Sequence, residues 1–452
     1  MRVSKSVLAG ILMAGLSLVA VEARAQSLAQ ALAAAYTVSP ELESALLDIK
    51  QAAENIAIGQ ARQRPTIGAS LDGNVSSTLN NGLFLNSQQL NAGVSLNQTI
   101  FDNNRTNAAI EQARALADLS KYQMANTEQN ILLSVVEAYM NVLRDSQLIS
   151  LRQENVSFFQ AQLQSSEDRL EVGEGTRIDV AQAQARLAQA QASLQAAQNS
   201  LQTSRATFQR YVGAAPQNLS SAHNFAQFIP RSIDEAIAIG ERDHPALLVA
   251  KASIRAAQAG ADAAHAEFGP NVTLNGQVGT GYSTQQGNQG ITGRIGFNLT
   301  VPIYSGGAIG AGIRRANLAQ IQSEVDAQSA YNQIREAIIA SWSGIQNADA
   351  QIGSAQAAVA AGQQVVDGVI QERDLGTRTT LDVLNAQAEL TSARESLISA
   401  SNSRVIATFS LLSAMGRLNA RDLGLPVEIR NADNYVQTVQ DVWQELRTVE
   451  DR

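Results

Sequence analysis

The segments TIGASLDGNVS (66–76) and LNAGVSLNQTI (90–100) decide the fold, because apolar and polar residues alternate along both of them. A second pair with the same alternation follows at NVTLNGQVG (271–279) and ITGRIGFNLTV (291–301). Strict alternation predicts β-strands with one apolar and one polar face. Such strands are typical of membrane barrels with a water-filled lumen. A soluble β-sandwich is the alternative, but it gives the polar faces no purpose. The turns predicted to join the pairs are Asn80-Asn81-Gly82 and Gln286-Gly287-Asn288.

The two strand pairs belong to two copies of one unit, because residues 27–213 reappear in order as residues 232–416. The offset is 205 before the strands and 203 after them, as four pairs of equivalent positions show: Pro40 and Pro245, Pro65 and Pro270, Gly173 and Gly376, Asp179 and Asp382. A doubled unit of this size indicates a symmetric assembly. The smallest membrane barrels have about eight strands. A chain with four strands is therefore expected to pool them with copies of itself.

Long helices are predicted around each strand pair. Apolar residues recur every seven positions, for example in the column Val135, Val142, Ile149, Val156, Leu163 and Leu170. Sustained heptads predict helices that supercoil around each other. The helix over 107–170 is expected to be about 96 Å long, with shorter helices over 40–63 and 177–211 stacked end to end beside it. One ordinary soluble coiled coil would explain these helices but not the strands.

Five regions are predicted along the chain. Residues 1–25 are expected to be a signal peptide, because a basic start is followed by an apolar run and by small residues that suit cleavage. An uncleaved anchor is the alternative. The remaining regions are a first structural repeat, a linker, a second repeat and a C-terminal tail at the equatorial region, over 26–213, 214–231, 232–416 and 417–452.

Composition excludes several classes of function. The chain has no cysteine, so it has no disulfide, no thiol ligand for a metal and no lipid-modified cysteine. Its formal net charge is −8, and it lacks a basic run, which argues against nucleic acid as a partner. Its three histidines are far apart in sequence, so no metal site is expected. Beyond residue 25, no apolar run reaches the roughly 18 residues that a membrane helix needs.

Two similar turns identify a family. RLEVGEGTRIDVAQAQARL (169–187) and RDLGTRTTLDVLNAQAEL (373–390) both place threonine three residues after a glycine and Asp-Val at six and seven. With the strands, the heptads and the leader, these turns resemble the TolC family of outer-membrane efflux and secretion channels over essentially the whole mature chain.

The resemblance implies a homotrimer in the outer-membrane lipid, with four strands per protomer in a 12-stranded transmembrane β-barrel. It also implies a helical tunnel that crosses the periplasm and narrows to a closed tip. It implies no enzyme activity and no cofactor. The implied partners are a periplasmic adaptor (membrane-fusion) protein and an inner-membrane transporter, either an ABC transporter or a proton-driven one.

The resemblance further implies roles for residues at the tip. Asp382 matches the acidic ring that narrows the periplasmic entrance, and Asn385 stands where the family often has a second aspartate. Asp179 and Arg378 match positions that latch the inner helical pair to its neighbours. Arg373 replaces a latch tyrosine, so an Arg373–Asp179 ion pair is expected. The alternative is that these are solvated charges of the turns.

The turns themselves resemble the family's docking points for the adaptor, at Gly173 and Thr176 in the first copy and at Gly376 and Thr379 in the second. Plain loop geometry is the alternative, because glycine permits positive φ in tight turns.

The second long helix contains Gly344, Gly353, Gly362 and Gly368, whereas residues 107–170 contain no glycine. Each glycine costs about 1 kcal/mol of helix propensity relative to alanine. One hypothesis is that this weaker helix moves when the channel opens. The other is that glycine allows close helix contact.

The predicted function is a passive outer-membrane channel that exports its cargo with a pump and an adaptor. The cargo is either protein, through type I secretion, or drugs and other small toxic molecules. A periplasmic coiled-coil scaffold without a pore is the rival from another class.

Overall fold

The computed structural model describes residues 26–221, 228–284 and 287–442. The predicted signal peptide and residues 443–452 of the predicted tail lie outside the described residues. The first copy contains α1 (Leu28–Val38), α2 (Pro40–Ala61), β1 (Thr66–Asn80), β2 (Leu83–Phe101), α3 (Arg105–Glu171) and α4 (Arg177–Val212). The second contains α5 (Ile233–Asp243), α6 (Pro245–Ala266), β3 (Asn271–Ser283), β4 (Gly287–Thr300), α7 (Ala308–Asp374) and α8 (Thr380–Ala414), and α9 (Asp433–Asp441) follows.

The four strands form one antiparallel sheet in the order β1-β2-β3-β4. Both strands of the first hairpin are longer than predicted, with 15 and 19 residues. They extend to a two-residue turn in which Asn81 and Gly82 have φ of 50° and 80°. Positive φ at both positions is the signature of the type I′ turn, whose twist matches that of the strands. The turn predicted around Gln286 begins outside the described residues, and β4 starts at Gly287.

The two hairpins have equivalent registers. Thr66 pairs with Asn97 in the first, and Asn271 pairs with Thr300 in the second. These pairs are related by the offsets of 205 and 203 that the sequence shows. The internal repeat therefore holds at the level of individual hydrogen-bonded strand positions.

The long helices confirm the predicted lengths and stacking. α3 and α7 each contain 67 residues, which corresponds to about 100 Å. α2 and α4 both pack along α3, and α6 and α8 both pack along α7. α2 begins at residue 40 as predicted, and the structure shows Ser39 as its N-cap and Pro40 in its first turn. Gly213 ends α4 with φ of 80°, a left-handed conformation that suits glycine.

The main core lies midway along the long helices, where α1, α3, α4, α7, α8 and residues 415–425 meet. Its largest fully buried side chains include Tyr36, Tyr139, Phe208 and Phe409. The Tyr139 hydroxyl lies 2.7 Å from the carbonyl oxygens of both Gln26 and Ser220. Burial raises the pKa of Tyr139 to about 12, so this hydroxyl stays protonated and donates. α9 packs on α2 beside this core.

None of the helices within the described ranges is both long enough and apolar enough to cross a membrane. The exposed large apolar side chains are concentrated on the sheet. Leu71 and Val75 on β1 and Ile295 and Phe297 on β4 are each 71–75% exposed.

Candidate functional site

The first turn of α8 holds the residue predicted to form the acidic ring. The Thr379 hydroxyl accepts from the Asp382 backbone N–H at 3.2 Å, and Asp382 Oδ2 accepts from the Thr379 backbone N–H at 2.9 Å. This reciprocal pair is a capping box. The Thr379 hydrogen bonds, helped by the charge of Arg378, lower the pKa of Asp382 below its ordinary 3.8. The exposed carboxylate is therefore held charged at the tip.

The α4 turn repeats this arrangement. Thr176 caps α4, and Asp179 Oδ2 lies 2.6 Å from the Thr176 hydroxyl and 3.1 Å from its backbone nitrogen. Gly173 and Gly376, one in each turn, have φ of 83° and 80° with open space around their α-carbons. The tip therefore presents two exposed turns of the same geometry. An adaptor-docking role for these turns remains a prediction.

Within one chain, the expected Arg373–Asp179 ion pair is wrong. The Arg373 side chain is only 8% exposed. Its guanidinium donates to Gln162 on α3 and bonds Asp374 at 2.7 and 3.0 Å. The capping box explains the difference, because the Asp179 carboxylate is already occupied by its own helix N-terminus. A latch between subunits, involving Asp179 or Arg378, remains a prediction.

Arg378 also has a partner within its chain. Its Nε lies 2.8 Å from Glu372 Oε2, and this hydrogen bond is the main reason that its pKa is raised. Asn385 accepts from Arg186 Nη2 on α4 at 2.9 Å. Sequence reasoning missed Arg186. No pattern in the sequence links Arg186 to Asn385, because the two residues are 199 positions apart.

A row of polar contacts joins α3 to α8 above the tip, and we call it the polar seam. It comprises the ion pair Arg152–Glu395 at 2.5 Å and the hydrogen bonds of Asn155 with Thr391 at 3.1 Å and with Gln387 at 3.5 Å. All of these side chains are buried or half-buried. Burial raises the pKa of Glu395, and Arg152 opposes this shift.

Farther from the tip, the same helices meet through apolar side chains. Val135, Val142, Val405 and Phe409 belong to the main core. Separating α3 from α8 in this apolar part would expose apolar surface to water, which is costly. Separating the polar seam instead exchanges protein hydrogen bonds for hydrogen bonds to water, at a small net cost. Near the tip the two helical hairpins meet through both kinds of contact, because Leu384 on α8 also packs in one apolar cluster with Val156 and Phe159 on α3.

Four glycines of α7, which also contains Gly310 and Gly312, fall into two groups. A Cβ atom at Gly362 would lie 3.4 Å from Leu390 on α8, and one at Gly344 would lie 3.6 Å from Ala407. Gly353 and Gly368 have open space around them in the chain. The distances at Gly362 and Gly344 are ordinary van der Waals contacts that would admit a methyl group. Close helix contact and a weakened, moving helix therefore both remain hypotheses for these glycines.

Residues 26–221, 228–284 and 287–442 contain no group of three or more histidines and carboxylates placed to hold an ion. The charged and amide side chains at the tip instead bond one another and the helix N-termini.

Comparison with known proteins matches this geometry to one family. The family described as "Outer membrane efflux protein" matches residues 31–214 and 241–417. The chain is similar to the outer membrane efflux protein BepC of Brucella suis biovar 1 (strain 1330), with 34% identity over 449 residues, which are 99% of this chain and 97% of BepC. It is 25% identical to the outer membrane protein TolC of Escherichia coli (strain K12) over 432 residues, covering 92% and 87% of the two chains.

A solved structure shows the same fold. The Campylobacter jejuni CmeC outer membrane channel superposes with a TM-score of 0.79 at 16% identity, covering 92% of this chain and 89% of that one. The fold class predicted from the strands and heptads is confirmed.

Proposed function

Because the chain belongs to the family of outer membrane efflux proteins, it is an outer-membrane export channel, and we propose that three copies of it build the complete channel. Three times the four strands of the sheet would give a 12-stranded barrel, which the helices continue as a tunnel across the periplasm. One observation supports this proposal. The edges of β1 and β4 and the exposed sides of α2 and α7 lack, within one chain, the contacts that the equivalent elements of the other copy make.

The strands at the two sheet edges are β1 and β4, and the repeat indicates how they fit together. Within the chain, β2 of the first copy pairs with β3 of the second, with Leu96 opposite Gly276. The equivalent pairing joins β4 to β1 of an adjacent subunit. The offsets of 203 and 205 place Leu299 opposite Leu71 of that subunit.

The helices leave matching surfaces. α3 packs on α2 and α6, so the repeat assigns α2 of an adjacent subunit as the second neighbour of α7. On α7, Leu318 is 64% exposed, whereas its equivalent Ala115 on α3 is 5% exposed. On α2, Leu47 is 47% exposed, whereas its equivalent Ala252 on α6 is fully buried. Contact between α7 and an adjacent α2 would cover both leucines.

Cysteine crosslinking tests this pairing, because the chain has no cysteine of its own. The double variant Leu71→Cys/Leu299→Cys should form a covalent trimer on mild oxidation. The control Leu71→Cys/Ile295→Cys moves one thiol four residues along the strand, about 13 Å, and should not crosslink. Equal crosslinking of both variants would contradict the register.

Reconstitution into planar bilayers separates a channel from a scaffold. A channel gives stable single-channel steps, and a coiled-coil scaffold without a pore gives none.

At the tip, three Asp382 carboxylates would line the narrowest point with Asn385 one turn away. Opening would move α7 and α8 outward as the polar seam separates. A periplasmic adaptor would dock on the exposed turns, and an ABC or proton-driven inner-membrane transporter would supply the energy. BepC is named an efflux protein, which favours small toxic molecules over secreted proteins as cargo. Deleting the gene should then raise drug accumulation and leave secreted proteins in the medium unchanged.

A further inference from the structure

A cavity of about 690 Å³ lies where α3 and α6 meet the ends of β2 and β3. Thr99 and Asn271 line it, and both occupy the polar face of their strands, so the cavity opens toward the lumen of the proposed barrel. Its charged residues balance, with two positive and two negative side chains: Arg62, Arg105, Asp102 and Glu267.

The internal repeat requires an equivalent cavity wherever α7 of one subunit meets α2 of the next, and this step rests on the trimer proposed above. The backbone supports the equivalence. Asn103 and Asn104 precede α3 with φ of 54° and 68°, and Gly306 and Gly307 precede α7 with φ of 63° and 86°. Both copies therefore make the same left-handed turn between the last strand and the long helix.

At one pair of facing positions, the large and the small residue are on opposite walls in the two cavities. Within the chain, Asn103 fills the space beside Gly269, where an added Cβ atom would lie 2.1 Å from Asn103 Nδ2. At the subunit seam, Gly306 stands in place of Asn103, and Arg64 of the adjacent subunit stands in place of Gly269. The glycine leaves room for the arginine side chain, so the large residue comes from the opposite wall.

The charge of the cavity changes with this exchange. At the seam, Arg62 of the adjacent subunit replaces Glu267, and Arg315 replaces Gln112. The other charged positions become uncharged or acidic: Asp102 becomes Ser305, Arg105 becomes Ala308 and Arg62 becomes Glu267. Three arginines and one carboxylate give each seam a formal charge of 3 − 1 = +2. Arg62 and Glu267 also line the cavity inside their own chain, so the charge that belongs to the seam alone is the +2 of Arg64 and Arg315. That carboxylate lies 2.8 Å from Arg105 and is already neutralised.

We infer that each subunit seam holds a basic cavity, open to the lumen, that binds the anionic groups of solutes in the channel. Arg62, Arg64 and Arg315 are exposed and form no ion pair with any other residue that the structure describes. Guanidinium groups bind phosphate, sulfate and carboxylate through paired hydrogen bonds. Three such cavities at one level of a narrow lumen concentrate anions there, opposite in sign to the Asp382 ring at the tip.

Block by an anion tests this inference. Inorganic pyrophosphate is added to single trimers in planar bilayers, and the drop in conductance is recorded against its concentration. The wild type should show saturable block. In Arg62→Gln/Arg64→Gln/Arg315→Gln, the concentration for half block should rise at least about tenfold, since hydrogen bonds between charged groups are lost. The reversal potential in a KCl gradient should also shift toward potassium selectivity.

Two controls make the result decisive. The variant Arg62→Lys/Arg64→Lys/Arg315→Lys keeps the charge and should keep most of the block. The variant Arg177→Gln/Arg205→Gln removes two exposed arginines far from the seam and should behave as wild type. Stable channel steps without pyrophosphate block, or equal block in the glutamine and wild-type channels, would overturn the basic cavity and leave the channel intact. The absence of any channel steps would overturn the proposed function itself.

Discussion

Replacing Thr391 with valine should open the channel by weakening the polar seam. Thr391 is 4% exposed, and its hydroxyl lies 2.8 Å from the Gln387 carbonyl oxygen and 3.1 Å from Asn155 Oδ1. Valine has nearly the same shape but cannot donate. Asn155 Oδ1 then retains only the Gln387 amide, at 3.5 Å.

The size of the effect follows from the burial of Asn155, which is 6% exposed. A buried acceptor left without a good donor costs about 1–3 kcal/mol. Since the Gln387 contact remains, we expect about 1–2 kcal/mol per subunit. Water reaches Asn155 when the polar seam between α3 and α8 separates, so this cost falls on the closed state alone. The open-to-closed ratio should rise about 5- to 30-fold for each subunit.

Single-channel recording in planar bilayers measures this ratio directly. Thr391→Val should show longer and more frequent openings than the wild type. The triple variant Asn155→Leu/Gln387→Leu/Thr391→Val removes all three polar partners, including the Gln387 amide that bonds the other two, and leaves an apolar contact, which is close to neutral or stabilising. It should return the channel to the closed state.

Thr408→Val is the matched control on the same helix. Thr408 is 9% exposed, and its hydroxyl donates to the Arg404 carbonyl oxygen at 3.0 Å within α8. This substitution changes the chemistry equally without touching the seam, so open probability should stay at the wild-type level. The reasoning is refuted if Thr391→Val gates like Thr408→Val, or if the triple variant opens more than the single one.

Three further predictions concern the tip and the repeat. Asp382→Asn keeps an oxygen acceptor for Thr379 but removes the ring charge, so divalent-cation block of conductance should disappear; in the wild type the lowered pKa should preserve block in mild acid. Burial lowers the pKa of His244 below 6.5, so the folded protein should lose stability as the pH falls from 6.5 through that lowered pKa. The variant His244→Ser copies Ser39, the equivalent residue of the first copy, and should abolish this acid-dependent drop in melting temperature. Gly376→Ala should lower the free energy of unfolding by about 1–2 kcal/mol, because alanine is strained in a left-handed backbone conformation. Gly416→Ala should lower it by about 1–3 kcal/mol more, because its Cβ would also lie 2.8 Å from the His244 α-carbon. Equal melting temperatures of the two variants would contradict this.

The parts of the fold that the sequence predicted are those set by local periodicity. Alternation along 66–76 and 90–100 placed the strands, and heptads placed α3 and α4 with ends correct to within two residues. Ser39 caps α2 with its side-chain oxygen, and Gly213 ends α4 through its left-handed backbone. Both signals can be read from a few neighbouring residues of the sequence. The strand ends near Asn80 were missed because β1 continues through residues 77–79 up to the turn.

Local periodicity did not predict the contacts between side chains at the tip. Arg373 was expected to bind Asp179 because it replaces a latch tyrosine of the family, but within the chain its guanidinium donates to Gln162 on α3 instead. Thr391 and Asn155 are 236 positions apart and are both uncharged, so no pattern of charge or hydrophobicity marks them as partners. Side-chain pairing between distant helices depends on their rotation and height, which periodicity alone does not determine.

The internal repeat explains how one chain can make two different kinds of joint with a single backbone. Within the chain, the joint between copies carries paired charges such as Arg105–Glu267 and Arg255–Asp118, each at 2.8 Å. At the equivalent seam of the proposed trimer, Asp118 corresponds to Ile321, so an acidic side chain is gone there as well. In the proposed trimer the repeat gives both joints the same backbone geometry, so the difference between them lies in their side chains. A joint that holds permanently can neutralise its own charges, whereas unpaired basic groups at the seams remain available to ligands in the lumen.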